Sequence, residues 1–205
     1  TLDTTINGTR GNYPLPAPHK NKILSMLNCG WEIDNSNSNN LIASRVKYKP
    51  FGHARFIDNI VYVDGPEDEL NSLAKIDPLT TAVVNKKFKF DKLQKNNGSL
   101  ISLDLDSYKP NHLTYKIENP SKFNQFAVFS EIYYKNGWNA YINGKIVPHF
   151  RANYVLRAMI VPAGTKKIEF KFEPSTFETG EKVALASSII LLLLLVFVSY
   201  KELKV

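Results

Sequence analysis

The chain has 205 residues, 43% of them hydrophobic and 12% aromatic, with a formal net charge of +7. That composition belongs to a folded protein and excludes a disordered one. The lysines are scattered rather than gathered into one basic block, which argues against nucleic-acid binding, and the single cysteine, Cys29, excludes an internal disulfide.

Thr1 to Lys22 reads as an irregular entry segment, because Pro14, Pro16 and Pro18 enforce extended backbone. It carries no export signal and no initiator Met, and the expectation is that the chain is the C-terminal piece of something longer. Ile23, Leu24, Met26 and Leu27 have the spacing of one or two helical turns, and a short strand follows around Trp31 to Ile33. Asp34 to Asn40 is a loop by composition. Leu41 to Tyr48 and Ala54 to Val63 are rich in strand formers. Glu67 to Lys75 predicts a helix: Pro66 precedes it, acids fill its first turn, Leu70 and Leu73 share a face, and Asp77-Pro78 ends it.

From Thr81 the pattern turns to strands. Thr81 to Val84 is a short one, and alternation with period two runs through Ile101 to Asp106, Leu113 to Glu118 and Lys167 to Glu173. Phe126 to Tyr134 is nearly continuously apolar, as a central strand would be. Asn97-Gly98, Asn136-Gly137, Asn143-Gly144 and Pro162-Ala163-Gly164 are turns. The expected fold is mainly β: an antiparallel β-sandwich-like domain, with a small α/β N-terminal portion. The boundaries expected are 1–95 for the mixed portion, 96–182 for the sandwich portion, 183–200 for a transmembrane helix and 201–205 for a short cytoplasmic tail.

The last of these rests on VALASSIILLLLLVFVSY, Val183 to Tyr200, which has no charge, no Pro and no Gly. Its roughly 18 residues, at about 1.5 Å each, give roughly 27 Å of helix against a hydrocarbon core of about 30 Å. Ser187, Ser188 and Ser199 are tolerable there because a hydroxyl can bond back to its own helix. Tyr200, Lys201 and Lys204 suit a membrane interface and place the tail in the cytoplasm. The lipid bilayer is therefore an expected partner, and the excess positive charge suits anionic lipid or anionic glycan.

Signs of catalysis are sparse. His19, His53, His112 and His149 lack ligand spacing and no Cys joins them, so no metal site is expected. There is neither a glycine-rich phosphate loop nor a Gly-x-Ser-x-Gly elbow. Asp104 and Asp106 share a strand face, where a solvated edge is the plainer reading than paired acid chemistry. Asn7-Gly8-Thr9 and Asn97-Gly98-Ser99 match the short N-glycosylation pattern, which is as much a turn pattern. One stretch stands apart, YYKNGWNAYINGKIVPHFRANYVLR from Tyr133 to Arg157. Aromatic faces stack on sugar rings while Arg and Asn donors meet hydroxyls or anions. On that ground Trp138, Tyr141, Arg151, Asn153, Tyr154 and Arg157 are the candidate glycan-binding residues. The competing reading makes the same aromatics core and cross-strand partners. Arg157 lies in an apolar strand and needs a partner if buried, for which Glu131 is the candidate.

The run FSEIYYKNGWNAYINGKIVPHFRANYVLRAMIVPAGTKKIEFKFEP, followed directly by the apolar helix, resembles the C-terminal end of the YfhO family of bacterial multi-spanning membrane proteins, in the style of its Bacteroidetes members. MLNCGWEI at Met26 to Ile33, GHARFIDNIVYV at Gly52 to Val63 and IDPLTTAVV at Ile76 to Val84 agree with it, so the likeness covers nearly the whole chain. The resemblance implies a parent of the GT-C glycosyltransferase type, using a lipid-linked sugar donor, with its catalytic acid in an early extracytoplasmic loop. It implies that this chain is the non-catalytic C-terminal domain, with no catalytic residue and no cofactor of its own. It further implies a bacterial cytoplasmic (inner) membrane location, the soluble domain on the extracytoplasmic side, and a role in cell-envelope glycan or lipid glycosylation. Upstream membrane helices and a glycan or lipid-linked sugar are the implied partners. The alternatives are a stand-alone membrane-anchored glycan-binding module and a purely structural or assembly domain.

Overall fold

Fifteen strands and three α-helices are laid down in the computed structural model, which describes residues 2–6, 9–13, 17–34, 42–46, 49–90 and 102–203. The Asn97-Gly98 turn, the centre of the 34–40 loop, Pro14, Pro16 and both glycosylation patterns lie wholly or partly outside these residues. Strands β1 (Leu2–Ile6) and β2 (Thr9–Tyr13) pair antiparallel, with Ile6 opposite Thr9. Helix α1 (Ala17–Met26) follows. The expectation of an irregular entry is therefore corrected: β1, β2 and α1 occupy much of it, and Pro18 sits in the first helical turn, where its missing N–H breaks no helical bond. A second hairpin joins β3 (Trp31–Asp34) to β4 (Ile42–Arg45).

The body of the protein is two sheets. After β5 (Ala54–Ile57) and β6 (Asn59–Val63), helix α2 (Pro66–Leu73) crosses over to β7 (Thr81–Asn85), which runs parallel to β6. A 3-10 turn at Lys86–Phe88 follows. Then come β8 (Ser102–Lys109), β9 (His112–Glu118), β10 (Gln125–Ile132), β11 (Trp138–Ile142), β12 (Lys145–Val147), β13 (Phe150–Ala152), β14 (Leu156–Val161) and β15 (Lys167–Phe172). The first sheet has the order β5-β10-β14-β13-β7-β6 and the second β12-β11-β15-β9-β8. The first sheet thus takes strands from both sides of residue 95. Its two outermost strands, β5 and β6, are joined by the single residue Asp58, so the sheet curls until its edges nearly meet. Asp58 and Asn59 both donate their N–H to Thr80 O at 3.1 Å, which holds the kink.

Alternation along β10 and β14 explains why the chain needs two cores. Phe126, Val128, Leu156 and Ala158 face one cluster, closed by Met26 of α1, Leu73 of α2 and the rings of Phe88 and Phe90. Ala127, Phe129, Met159 and Val161 face a second, built with Leu113, Tyr115, Ala140, Ile168 and Phe170 of the other sheet. Both faces of β10 are therefore covered, which is why its sequence has no polar period. Each such aliphatic or aromatic side chain contributes about 1.5–3 kcal/mol by leaving water.

Helix α3 (Ser175–Leu203) begins three residues after β15 ends. Its segment Thr179–Lys201 is long and apolar enough to cross a membrane and is not buried by any of the described residues, with Leu191 to Leu195 about three-fifths exposed. Ser187 Oγ donates to Val183 O at 2.7 Å and Ser188 Oγ to Ala184 O at 2.8 Å, so their hydroxyls are satisfied inside the helix.

Candidate functional site

The 133–157 stretch is a chain of tight turns, and each turn residue has a reason. Gly137 has φ +127°, and a β-carbon there would stand 2.6 Å from the Phe172 ring, so only glycine fits. Asn143 and Gly144, at φ 52° and 75°, make the two-residue hairpin between β11 and β12. Between β13 and β14, Asn153 and Tyr154 also hold positive φ, 48° and 70°. Val155 N donates to Asn153 O at 2.8 Å, a three-residue γ-turn around Tyr154 of the rare positive-φ kind. Such strain persists only where surrounding contacts enforce it.

Those contacts come from Asn153. Its N–H donates to Val83 O at 2.8 Å, and its Oδ1 accepts from Val83 N at 2.8 Å. The side-chain amide thereby extends the ladder between β13 and β7, which otherwise holds the single pair Ala152–Val84. Asn153 is fully buried and acts as part of the backbone.

The other expected site residues fall in three places. Trp138, Ala140 and Ile142 point inward from β11, so Tyr141 points outward. There the Tyr141 hydroxyl donates to Glu173 at 2.6 Å, and Lys171 lies 5.0 Å from its ring. Trp138 instead packs on Phe172, with Arg157 beneath it. Arg151 and Tyr154 lie together, the guanidinium 5.7 Å from the tyrosine ring. Asp104 accepts from the Ser102 hydroxyl while Asp106 pairs with Lys116 at 2.7 Å, and a bulge between Leu105 and Ser107 separates the two acids.

Arg157 is 1% exposed, held between the rings of Trp138 and Phe170 at 4.6 and 4.5 Å. Its Nη2 donates to Ile132 O at 3.4 Å, while Nε and Nη1 have no partner among the described residues. The expected ion pair with Glu131 does not form. A bulge in β10 between Phe129 and Ile132 carries Glu131 aside, and burial pushes its carboxyl pKa up despite the nearby guanidinium. Burial also pushes the Arg157 pKa down. The Tyr115 hydroxyl and His149 Nε2 are also buried without partners among the described residues. Burial, with Arg157 adding to it, lowers the His149 pKa to about 4 and keeps the ring neutral at pH 7.

A surface cleft of about 300 Å³ opens beside this interior. Lys87, Phe88, Tyr133, Tyr134, Lys135, Asn136 and Arg151 line it. Tyr134 is 53% exposed. Arg151 Nη2 bonds both carboxylate oxygens of Glu69, at 3.0 and 3.1 Å, and Glu69 is 1% exposed on α2. Arg151 is thereby fixed and largely neutralised, whereas neither Lys87 nor Lys135 is ion-paired among the described residues. Of the residues expected from the sequence, Arg151 lines the cleft and Tyr154 adjoins Arg151. Lys87 carried no signal of its own among lysines scattered along the chain. Its position follows from Asn85, whose side chain accepts from Lys87 N at 3.1 Å and caps the 3-10 turn.

Residues 84–184 match the family model described as bacterial membrane protein YfhO, a range running from β7 through the cleft and both sheets into α3. No curated protein and no solved structure matches the chain. The family-model match supports membership of the YfhO family of bacterial membrane proteins, and the membrane-length helix agrees with it.

Proposed function

We propose that this chain serves as a non-catalytic extracytoplasmic domain of a membrane glycosyltransferase-like protein acting in cell-envelope glycan or lipid glycosylation. Its task is to receive the glycan or the lipid-linked sugar in the cleft beside Arg151. The observation that carries this reading is the company around Tyr134: an exposed ring flanked by two unpaired lysines and an immobilised arginine. An aromatic face takes the apolar side of a sugar, and lysines draw a phosphate or acidic glycan.

A second reading, a purely structural or assembly domain, is favoured by Trp138, Asn153 and Arg157, all of which are built into the fold. Binding of a polyprenyl-phosphate-linked sugar to the full chain in phosphatidylcholine nanodiscs separates the two. Tyr134→Ala is expected to weaken binding about 3–10-fold, since an aromatic contact contributes about 0.5–1.5 kcal/mol. Lys87→Ala with Lys135→Ala is expected to weaken it by a similar factor and to flatten its salt dependence. Equal affinity across these variants, or none in the parent, would leave the structural reading; sugar transfer by this chain alone would overturn the non-catalytic one.

A further inference from the structure

The interior between the two sheets holds a cation, Arg157, with no ion pair among the described residues. Four polar atoms there lack partners among the described residues: Nε and Nη1 of Arg157, the Tyr115 hydroxyl and Nε2 of His149. All belong to side chains grouped around one ring, Phe170. The guanidinium lies 4.5 Å from its centre, and the His149 and Tyr115 rings lie at 5.8 and 6.0 Å. Buried donors are left unmet rarely, and a buried charge is held only where something offsets it. Glu131, the acid near enough to be felt, makes no ion pair with Arg157.

The donor set names the missing chemistry. Arg157 offers two N–H groups, Tyr115 an O–H, and a neutral His149 an N–H in its Nε2–H tautomer. Donors around a fixed positive charge suit an oxyanion and repel a metal ion. Trp138 is partly exposed, lies over the guanidinium and packs on Phe172, three residues before α3 begins. We propose that Arg157, Tyr115 and His149 form an interior site for a phosphate-type oxyanion, admitted past Trp138 at the end of the sandwich that leads into the apolar helix. The oxyanion arrives as free phosphate or as a phospholipid headgroup, and the site is separate from the Lys87–Lys135 cleft.

The test uses the full chain carrying Trp31→Phe, so that tryptophan emission reports Trp138 alone. Inorganic phosphate is titrated against chloride at matched ionic strength, in an uncharged detergent. In parallel, phosphatidylcholine nanodiscs are compared with and without phosphatidic acid. The expected result is a saturable change in Trp138 emission with one of the two phosphate sources, the responding source being the ligand. Where free phosphate responds, Tm rises by about 5–10 °C at about 100 times the dissociation constant. Arg157→Gln abolishes the response. Tyr115→Phe, which keeps the ring packing, weakens it about 3–10-fold, and Lys87→Ala with Lys135→Ala leaves it unchanged. A wild-type protein silent to both sources overturns the proposal, as does a response that Tyr115→Phe leaves at full affinity.

Discussion

Replacing Glu69 tests whether the cleft is anchored from below. The carboxylate sits in the first turn of α2, is 1% exposed, and holds Arg151 through both oxygens, while Arg151 keeps 29% of its surface. Arg151→Met leaves that carboxylate buried without a counter-ion, a change of the kind that costs about 3–5 kcal/mol; the partial exposure of Arg151 puts it at the lower end, about 3 kcal/mol. Glu69→Gln keeps one acceptor and costs about 1–2 kcal/mol. The double variant removes charge and counter-charge together, and about 2 kcal/mol is expected in place of the summed singles, a coupling of about 2–3 kcal/mol. Urea unfolding of the four proteins in detergent measures it. Glu69→Gln also releases the Arg151 charge into the cleft, so affinity for an anionic glycan should rise about 3–50-fold, the effect of a unit charge about 7 Å away at an effective dielectric of about 20–80. Additive singles, with a coupling under about 0.5 kcal/mol, would refute the anchoring; an unchanged anion affinity in Glu69→Gln would refute the charge argument.

Gly137→Ala must meet both a φ of +127° and a β-carbon 2.6 Å from the Phe172 ring, whereas Gly144→Ala meets a φ of +75° in open space. Thermal unfolding should show about 3–4 kcal/mol lost in the first and about 1–2 in the second; equal losses would mean that Phe172 yields freely. His149, with its pKa lowered to about 4 from an ordinary 6.5, is bound to a proton more readily in the unfolded chain. Stability therefore holds in full above about pH 6.5 and falls by up to about 1.4 kcal/mol per pH unit down to about pH 4, and His149→Gln should flatten that limb of the pH profile. Trp138→Ala should destabilise the fold by about 3 kcal/mol through lost packing on Phe172 and Arg157, and Tyr141→Ala by under about 1 kcal/mol; a stable Trp138→Ala protein would contradict the inward placement.

Much of the fold could be read from local pattern because local pattern is what makes it. Period two marked β8, β9 and β15, an unbroken apolar run marked β10, and the acids after Pro66 marked α2. The apolar tail needed no neighbour to be recognised, since its environment is not the protein. What stayed out of reach depends on distant partners. Asp58 gives no sign that the strands on its two sides end at opposite edges of a curled sheet, because that is decided by β10 and β7. Asn153 looked like a sugar donor because its type permits that; its clamp on Val83 is visible only once residues 70 apart in sequence are adjacent. Trp138 and Tyr141, three apart on one strand, had to face opposite ways, and the alternation of β11 already implied it. Glu69 read as a helix-dipole acid, and its pairing with Arg151 is tertiary.

The central claim, that the cleft around Tyr134 handles a glycan, is met most directly in the living cell. Tyr134 is replaced by a photo-crosslinking phenylalanine in the native protein, cells are illuminated, and the purified protein is analysed by mass spectrometry. The account predicts an adduct carrying sugar or sugar-phosphate mass at residue 134, lost when Lys87 and Lys135 are changed to alanine. Adducts to protein alone, or a sugar adduct indifferent to the two lysines, would contradict it.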